Sequence, residues 1–156
     1  MHALYPGTFD PPTLGHLDII RRASAFCERL TIGIGQNHSK QTPVLTIEER
    51  KSILETMTGD LPNVEVVVVP GLVTEFAEDA DIDLLIRGLR SQSDWGSEQE
   101  MAMANRKLTG IETLFLFADQ SAQISSTLIR ELASHGAPLQ DFVTKEVENL
   151  LNSKEK

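Results

Sequence analysis

Short apolar segments of strand character alternate with segments of helical period along this 156-residue chain. Few architectures accommodate that alternation. Residues 2–5 read as a first strand, closed by Pro6-Gly7. Leu14, Leu17, Ile20, Ala23 and Cys27 then recur at helical spacing, which predicts a helix over residues 15–28. Residues 30–35 mix β-branched side chains with glycine and read as a second strand, followed by a polar loop over 36–44. Thr46-Ile47-Glu48-Glu49 is a capping box that opens a helix to about residue 57. The valine run within residues 63–70 reads as a strand buried on both faces. Helix 72–80, buried strand 84–86, helix 97–108 and strand 113–117 come next. A helix over 126–134 ends at His135-Gly136. An amphipathic helix over 139–151 closes the chain, with Phe142, Val143, Val147, Leu150 and Leu151 on one side, and residues 153–156 are expected to fray. This is the pattern of an α/β protein with a doubly wound parallel sheet. No repeat, linker or low-complexity stretch divides it, so residues 1–156 read as a single domain.

The formal net charge of -9 argues against a long phosphate-tracking surface, so no nucleic-acid partner is expected. Cys27 is the only cysteine. No intrachain disulfide can form, and its neighbours Phe26 and Leu30 suggest a small core residue on a buried helix face. No apolar run approaches the ~18 residues that span a bilayer, and no secretory pattern opens the sequence. The expectation is a cytoplasmic protein with no membrane partner.

In open α/β sheets ligands bind beyond the carboxyl ends of the strands. Three unusual segments fall there: residues 6–16, 87–90 and 118–127. In the first, Gly7 allows a sharp turn and close backbone approach to a ligand, and Thr8 adds a hydroxyl. Asp10-Pro11-Pro12 is a rigid turn. Gly15 and His16 then fall at a helix start, where free N–H groups and the macrodipole favour anions. In the second, Arg87 and Arg90 flank Gly88-Leu89, and arginine pairs with phosphate through a fork of donors. In the third, Ser125, Ser126 and Thr127 read as a helix N-cap whose free N–H groups also suit phosphate oxygens. Lys40, taken alone, is an exposed loop lysine.

The combination Gly7-Thr8-Phe9-Asp10-Pro11 with Thr13-Leu14-Gly15-His16 resembles the nucleotidyltransferase superfamily that carries a (T/H)xGH signature. Ser39-Lys40, Thr46-Ile47-Glu48-Glu49-Arg50, Ile86-Arg87-Gly88-Leu89-Arg90, Asn105-Arg106 and Ile124-Ser125-Ser126-Thr127 extend the likeness over nearly the whole chain. They make it similar to the bacterial phosphopantetheine adenylyltransferases. The resemblance implies a Rossmann-like nucleotidyltransferase fold. It implies adenylyl transfer from ATP, with Mg2+, to 4'-phosphopantetheine, giving dephospho-CoA and pyrophosphate in coenzyme A biosynthesis, and a homohexamer. By the same resemblance Thr8, Phe9, His16, Gly88, Leu89, Arg90, Glu98 and the stretch Ser121, Ala122, Gln123, Ile124, Ser125, Ser126 and Thr127 bind ATP. Thr8, Lys40, Val73 and Arg87 bind the acceptor. Where the family often carries an aromatic residue before the glutamate, this chain has Ser97. The stretch Asp119-Gln120-Ser121-Ala122-Gln123 also lacks an aromatic.

An acceptor phosphate is already anionic near neutral pH, so the transfer needs alignment of two anions and stabilisation of charge on the α-phosphoryl group and leaving pyrophosphate. His16, Lys40, Thr8 and Arg90 are the candidate catalytic residues. Another small-molecule nucleotidyltransferase, acting on nicotinate mononucleotide or glycerol 3-phosphate, is one alternative, and a non-catalytic nucleotide-binding module is another. His2, His38 and His135 form no metal set with His16. Asp79, Asp81 and Asp83 lack the glycine and terminal glutamate of a calcium loop. Met101 and Met103 are expected to pack a helix, and Trp95 to serve the core or a subunit contact.

Overall fold

The structure, a computed structural model, describes residues 1–35, 43–118 and 125–154, with the backbone alone at Gln92 and Ser93. Its elements run β1 (His2–Gly7), α1 (Leu14–Ser24), β2 (Arg29–Gly35), α2 (Ile47–Thr58), β3 (Val64–Val69), α3 (Val73–Asp79), β4 (Leu84–Leu89), α4 (Gln92–Thr109), β5 (Glu112–Phe117), α5 (Ser126–Ser134) and α6 (Lys145–Lys154). The strands form one sheet in the order β3-β2-β1-β4-β5, every pair parallel. The order reverses between β1 and β4, and the crevice beyond the strand ends at such a switch point is where ligands bind in this class of sheet.

Strand alternation divides the core. Ala3 and Tyr5 of β1 face Ile19, Ile20 and Ala23 of α1, together with Leu30, Ile32 and Ile34 of β2. Leu4, between them, packs on the opposite face with Ala77 of α3, Ile82 and Leu85. A further apolar cluster joins Leu45, Ile53 and Met57 to Ile129 and Ala133 of α5, and to Leu139, Val143, Val147 and Leu151. The two C-terminal helices are thereby pinned to α2, which brings the start of α5 beside the end of β1.

Several boundaries differ from the sequence expectation. β3 is an edge strand, so of its valines only Val66 and Val69 are buried and the run is not covered on both faces. α4 begins at Gln92 rather than near residue 97, because Gly96 lies inside the helix without breaking it. It ends at Gly110, whose φ of 77 places it in the left-handed region that favours glycine. Met101 and Met103 face outward at 57% and 66% exposure, and Trp95 is half-exposed against the edge of Phe115. Residues 139–144 turn rather than begin a helix: Phe142 and Val143 donate to the Leu139 carbonyl, and the Phe142 carbonyl accepts the N–H of Leu14 at the start of α1. α6 starts only after Thr144. Cys27 is buried in the core as expected, but in the turn after α1, with Phe26 exposed.

Candidate active site

A cleft of about 1130 Å³ opens at the carboxyl ends of β1 and β4. Its lining includes Thr8, Phe9, Asp10, His16, Arg50, Arg87, Gly88, Arg90, Glu98, Ser125, Ser126, Thr127 and Arg130. The three segments singled out in the sequence therefore converge on one cavity, as far as they are described. Lys40 and residues 121–124 lie outside the described residues. Val73 is absent from the cleft lining and packs at the start of α3 against the Leu4 cluster. Leu89 is buried in β4. Arg87, Gly88 and Leu89 belong to the strand itself, held by pairing with Phe115, Leu116 and Phe117 of β5, so only Arg90 stands beyond the strand end.

His16 is held by a helix cap. Thr13 is the N-cap of α1, and its Oγ1 accepts the His16 main-chain N–H at 3.3 Å. The Thr13 N–H in turn donates to His16 Nδ1 at 3.0 Å. A nitrogen that accepts a main-chain N–H carries no proton, so neutral His16 is the Nε2–H tautomer. Burial, then the nearby Arg90 and Arg87 guanidinium groups, lower its pKa to about 3. The residue is partly accessible and lines the cleft. The ring therefore offers the cleft a neutral N–H donor at the N-terminus of an eleven-residue helix. Phe9 packs edge-on against it, with centroids 5.0 Å apart, and Tyr5 packs edge-on against Phe9 at 5.5 Å. A Cβ at Gly7 would lie 2.9 Å from the Phe9 ring. The glycine thus makes room for a side chain of its own loop rather than for a ligand.

Arg87 is already engaged. Its Nε and Nη2 donate to the two carboxylate oxygens of Glu98 at 2.6 and 2.5 Å, and its Nη1 donates to the Pro6 carbonyl at 2.7 Å. Burial works against the charged form, but the Glu98 hydrogen bonds and charge outweigh it and the Arg87 pKa is raised. Arg90, by contrast, has no side-chain hydrogen bond among the described residues. Its main-chain N–H donates to Asp94 at 3.3 Å. At α5, Ser125 Oγ accepts the Leu128 N–H at 3.1 Å and so caps the helix. Ser126 Oγ donates to the Pro11 carbonyl at 2.9 Å, and Thr127 Oγ1 accepts from Arg130 at 3.3 Å. Ser126 thus spends its hydrogen within the protein, whereas Ser125 and Thr127 accept and keep an O–H to donate, which together with main-chain N–H is what the helix start has left for an anion.

Three residues in the lining were not read as functional from sequence. Asp10, read only as part of a turn, is 3% exposed, and its carboxylate accepts the N–H groups of Val44 at 3.1 Å and Leu45 at 2.9 Å. Arg50, also 3% exposed, donates to the Thr46 carbonyl at 3.2 Å and the Thr8 carbonyl at 2.8 Å. Arg130 donates to the Asp10 carbonyl at 2.8 Å, with the Asp10 carboxylate 3.5 Å away. The sequence did carry a sign of Arg50. It occupies the apolar register of α2, three, four and seven residues before Ile53, Leu54 and Met57, where a charged residue needs a reason.

Among the described residues no cluster of three or more His, Cys, Asp or Glu side chains could hold a metal, and no helix is long and apolar enough to cross a membrane. The cleft carboxylates, Asp10 and Glu98, are already occupied by N–H donors.

The cytidylyltransferase-like family model matches residues 4–132, spanning β1 to α5. The phosphopantetheine adenylyltransferase of Rhizorhabdus wittichii is 45% identical over 146 residues, covering 92% of this chain and 88% of the relative. A solved structure from Vibrio parahaemolyticus, described as a nicotinate-nucleotide adenylyltransferase, superposes with a TM-score of 0.66 over 97% of both chains at 20% identity, a likeness of fold. With its signature histidine and its arginines gathered at one switch-point cleft, the chain belongs to the cytidylyltransferase-like nucleotidyltransferases and, among them, to the phosphopantetheine adenylyltransferase family.

Proposed function

We propose that this protein transfers the adenylyl group of ATP to 4'-phosphopantetheine, giving dephospho-CoA and pyrophosphate. The observation that carries the reading is His16, fixed by Thr13 as a neutral Nε2–H donor in the switch-point cleft, with Arg90 beside it. The relative from Rhizorhabdus wittichii bears the name of this activity. An oxygen of the acceptor phosphate attacks the α-phosphorus of ATP, the new P–O bond forms, and the bond to the β-phosphate oxygen breaks as pyrophosphate leaves. The attacking oxygen is already ionised, so neither a strong base nor a covalent enzyme intermediate is needed. His16, Thr8, Arg90 and Lys40 stabilise the charge that spreads over the α-phosphoryl group and the leaving pyrophosphate. The N–H groups at the start of α5 and of Phe9 receive further phosphate oxygens. Mg2+ bound with ATP would offset the charge of the triphosphate, beside cleft carboxylates, Asp10 and Glu98, that already accept N–H donors. Arg87 serves the acceptor, and Glu98 exchanges part of its hold on Arg87 as substrates enter.

The same reading makes the protein a cytoplasmic homohexamer. Support for assembly comes from the outer side of α4 and β5, where Trp95, Met101, Met103, Leu108 and Phe117 leave apolar side chains exposed. A pyrophosphate-release assay with ATP, Mg2+ and a panel of phosphorylated acceptors tests the substrate assignment. Release with 4'-phosphopantetheine and not with nicotinate mononucleotide or glycerol 3-phosphate is expected. Activity with another acceptor alone would overturn the assignment, and ATP binding with no release for any acceptor would point to a binding module.

A further inference from the structure

Between the end of β1 and Pro11, every second carbonyl is taken by an arginine from a different element. Arg87 of β4 donates to the Pro6 carbonyl at 2.7 Å, Arg50 of α2 to that of Thr8 at 2.8 Å, and Arg130 of α5 to that of Asp10 at 2.8 Å. The Thr8–Phe9 peptide is trans, and in a trans peptide the C=O and the following N–H lie on opposite edges of one plane. Holding the Thr8 carbonyl against Arg50 therefore fixes the direction of the Phe9 N–H. That N–H has no acceptor among the described residues, and Thr8 and Phe9 both line the cleft.

Two further observations give the clamp a purpose. Phe9 sits at φ 50, in the left-handed region that a large side chain rarely adopts. Such a conformation persists only where its surroundings over-determine it. Here the flanking carbonyls are clamped on one side, and the Phe9 ring is locked between Tyr5 and His16 on the other. Arg50, moreover, is buried with carbonyl partners and no carboxylate partner among the described residues. A buried cation lacking a counter-charge favours an anion in the space it borders, and a cation on a carbonyl also polarises the peptide toward a stronger N–H donor.

We propose that Arg50 and Arg130, acting with Arg87, are positioning residues of the transfer reaction, which preset the Phe9 main-chain N–H as a donor to a phosphoryl oxygen of the nucleotide. This rests on the reading of the cleft as the adenylyl-transfer site. The asymmetry of the loop supports it: Pro11 has no N–H, so clamping the Asp10 carbonyl stiffens the loop without adding a donor, and Phe9 is left as the donor the clamp serves.

The test compares wild type with Arg50→Met, Arg50→Lys, Arg130→Met and the double Met variant, by turnover, KM for each substrate, melting temperature and the 15N–1H resonance of Phe9. Arg50→Met is expected to lower kcat roughly tenfold to a hundredfold, the cost of a slightly misplaced contact, with a smaller change in KM and a displaced Phe9 resonance in the free protein. Arg50→Lys, which can still hold one carbonyl, recovers part of the turnover. The Arg130 effect is smaller and non-additive with that of Arg50, because both hold one loop. Pyrophosphate titrated into wild type moves the Phe9 resonance, and in Arg50→Met moves it less. An unmoved Phe9 amide in Arg50→Met, or a loss confined to KM or to melting temperature, overturns the proposal. If Arg50→Met does not fold, Arg50→Lys and Arg130→Met decide by the same criteria. The amide readouts need no turnover, so absence of pyrophosphate release in wild type would refute the assigned activity while leaving the clamp to be judged by the Phe9 resonance.

Discussion

The protein uses one local device twice. α1 and α2 each begin with a threonine N-cap whose Oγ1 accepts the N–H of the third helical residue, whose side chain returns a bond to the N-cap N–H. In α2 that residue is Glu49, which accepts from Thr46 at 2.7 Å and pairs with Lys154 of α6 at 2.7 Å. In α1 it is His16. A carboxylate in this place only accepts, so its capacity is spent on the cap and on a lysine, and the result is a fastened helix. An imidazole accepts with one nitrogen and donates with the other, so capping leaves a donor over. The chemistry of His16 comes from an ordinary cap with an uncommon residue in the returning position, set beside a cleft.

The largest effects should follow from breaking that difference at residue 16. His16→Ala is expected to lower kcat roughly 10²- to 10³-fold with little change in KM, as for loss of a donor that acts in the transition state. His16→Gln preserves both halves of the device, since an amide oxygen can accept the Thr13 N–H and its NH2 can donate to the cleft. It should retain more turnover than Ala. His16→Glu makes the first box a copy of the second and replaces a donor with an anion, so it should fall below Ala. Steady-state pyrophosphate release checks the order Gln, Ala, Glu; any other order breaks the assignment of His16 as a neutral donor.

Next in size is the cap hydroxyl that holds the ring. Thr13→Val removes Oγ1 at nearly constant shape and leaves Nδ1 with the main-chain N–H alone. A fall in kcat of roughly tenfold is expected, with about 1 kcal/mol of lost stability, and Thr13→Ser should restore both. Because the main-chain N–H still meets Nδ1, the 15N spectrum of the ring should show Nδ1 unprotonated in both proteins, and the loss of turnover comes from a ring held less firmly without Oγ1. Wild-type turnover in Thr13→Val would remove the Thr13 hydroxyl from the account.

How far these features were legible in the sequence depends on whether they are local. The strand–helix order, the three segments at the strand ends and the Thr46 box could be read because caps, periodicity and turns are set within a few residues. The His16 cap follows the same spacing, but a histidine in place of Glu or Gln hid it. The arginine clamp could not be read: Arg50 and Arg130 meet their carbonyls across 42 and 120 residues of chain. The valines of β3 misled because composition records apolarity and not whether a strand is at the edge of the sheet. Met101 and Met103 misled for a similar reason, since their helical spacing does not say which face is covered.

Acid should separate the two boxes as well. The folded pKa of His16 lies near 3, below its usual 6.5, so between those values the unfolded chain binds the proton and the folded protein does not. Stability is therefore intact above pH 6.5 and is lost as pH falls toward 3, by at most ~1.4 kcal/mol per pH unit. His2, also lowered by burial and then by Arg29, adds to the loss with the same sign. Denaturant melts should show His16→Gln with a shallower decline over this window. The ring should stay neutral across pH 5 to 8, so kcat carries no limb from His16 there. A proton NMR midpoint near 6.5 for His16 would contradict this.

The smallest expected effect completes the contrast. Thr46→Ala removes the same cap oxygen from α2 that Thr13→Val removes from α1, and stability should again fall by about 1 kcal/mol. Turnover should stay within about twofold, because the returning side chain there only fastens a helix start. Glu49→Gln keeps an acceptor for the Thr46 N–H and weakens only the partly exposed pair with Lys154, whose hydrogen bond is the chief reason the Glu49 pKa is lowered. The pair lends stability above the usual carboxylate pKa and loses it as pH falls through the lowered value, so the Gln variant should match wild type in acid and differ by under ~1 kcal/mol at neutral pH. The same helix carries Arg50 one residue on. A tenfold loss of turnover in Thr46→Ala, at unchanged KM, would mean that the α2 cap positions Arg50, and that the second box serves the cleft through its neighbour.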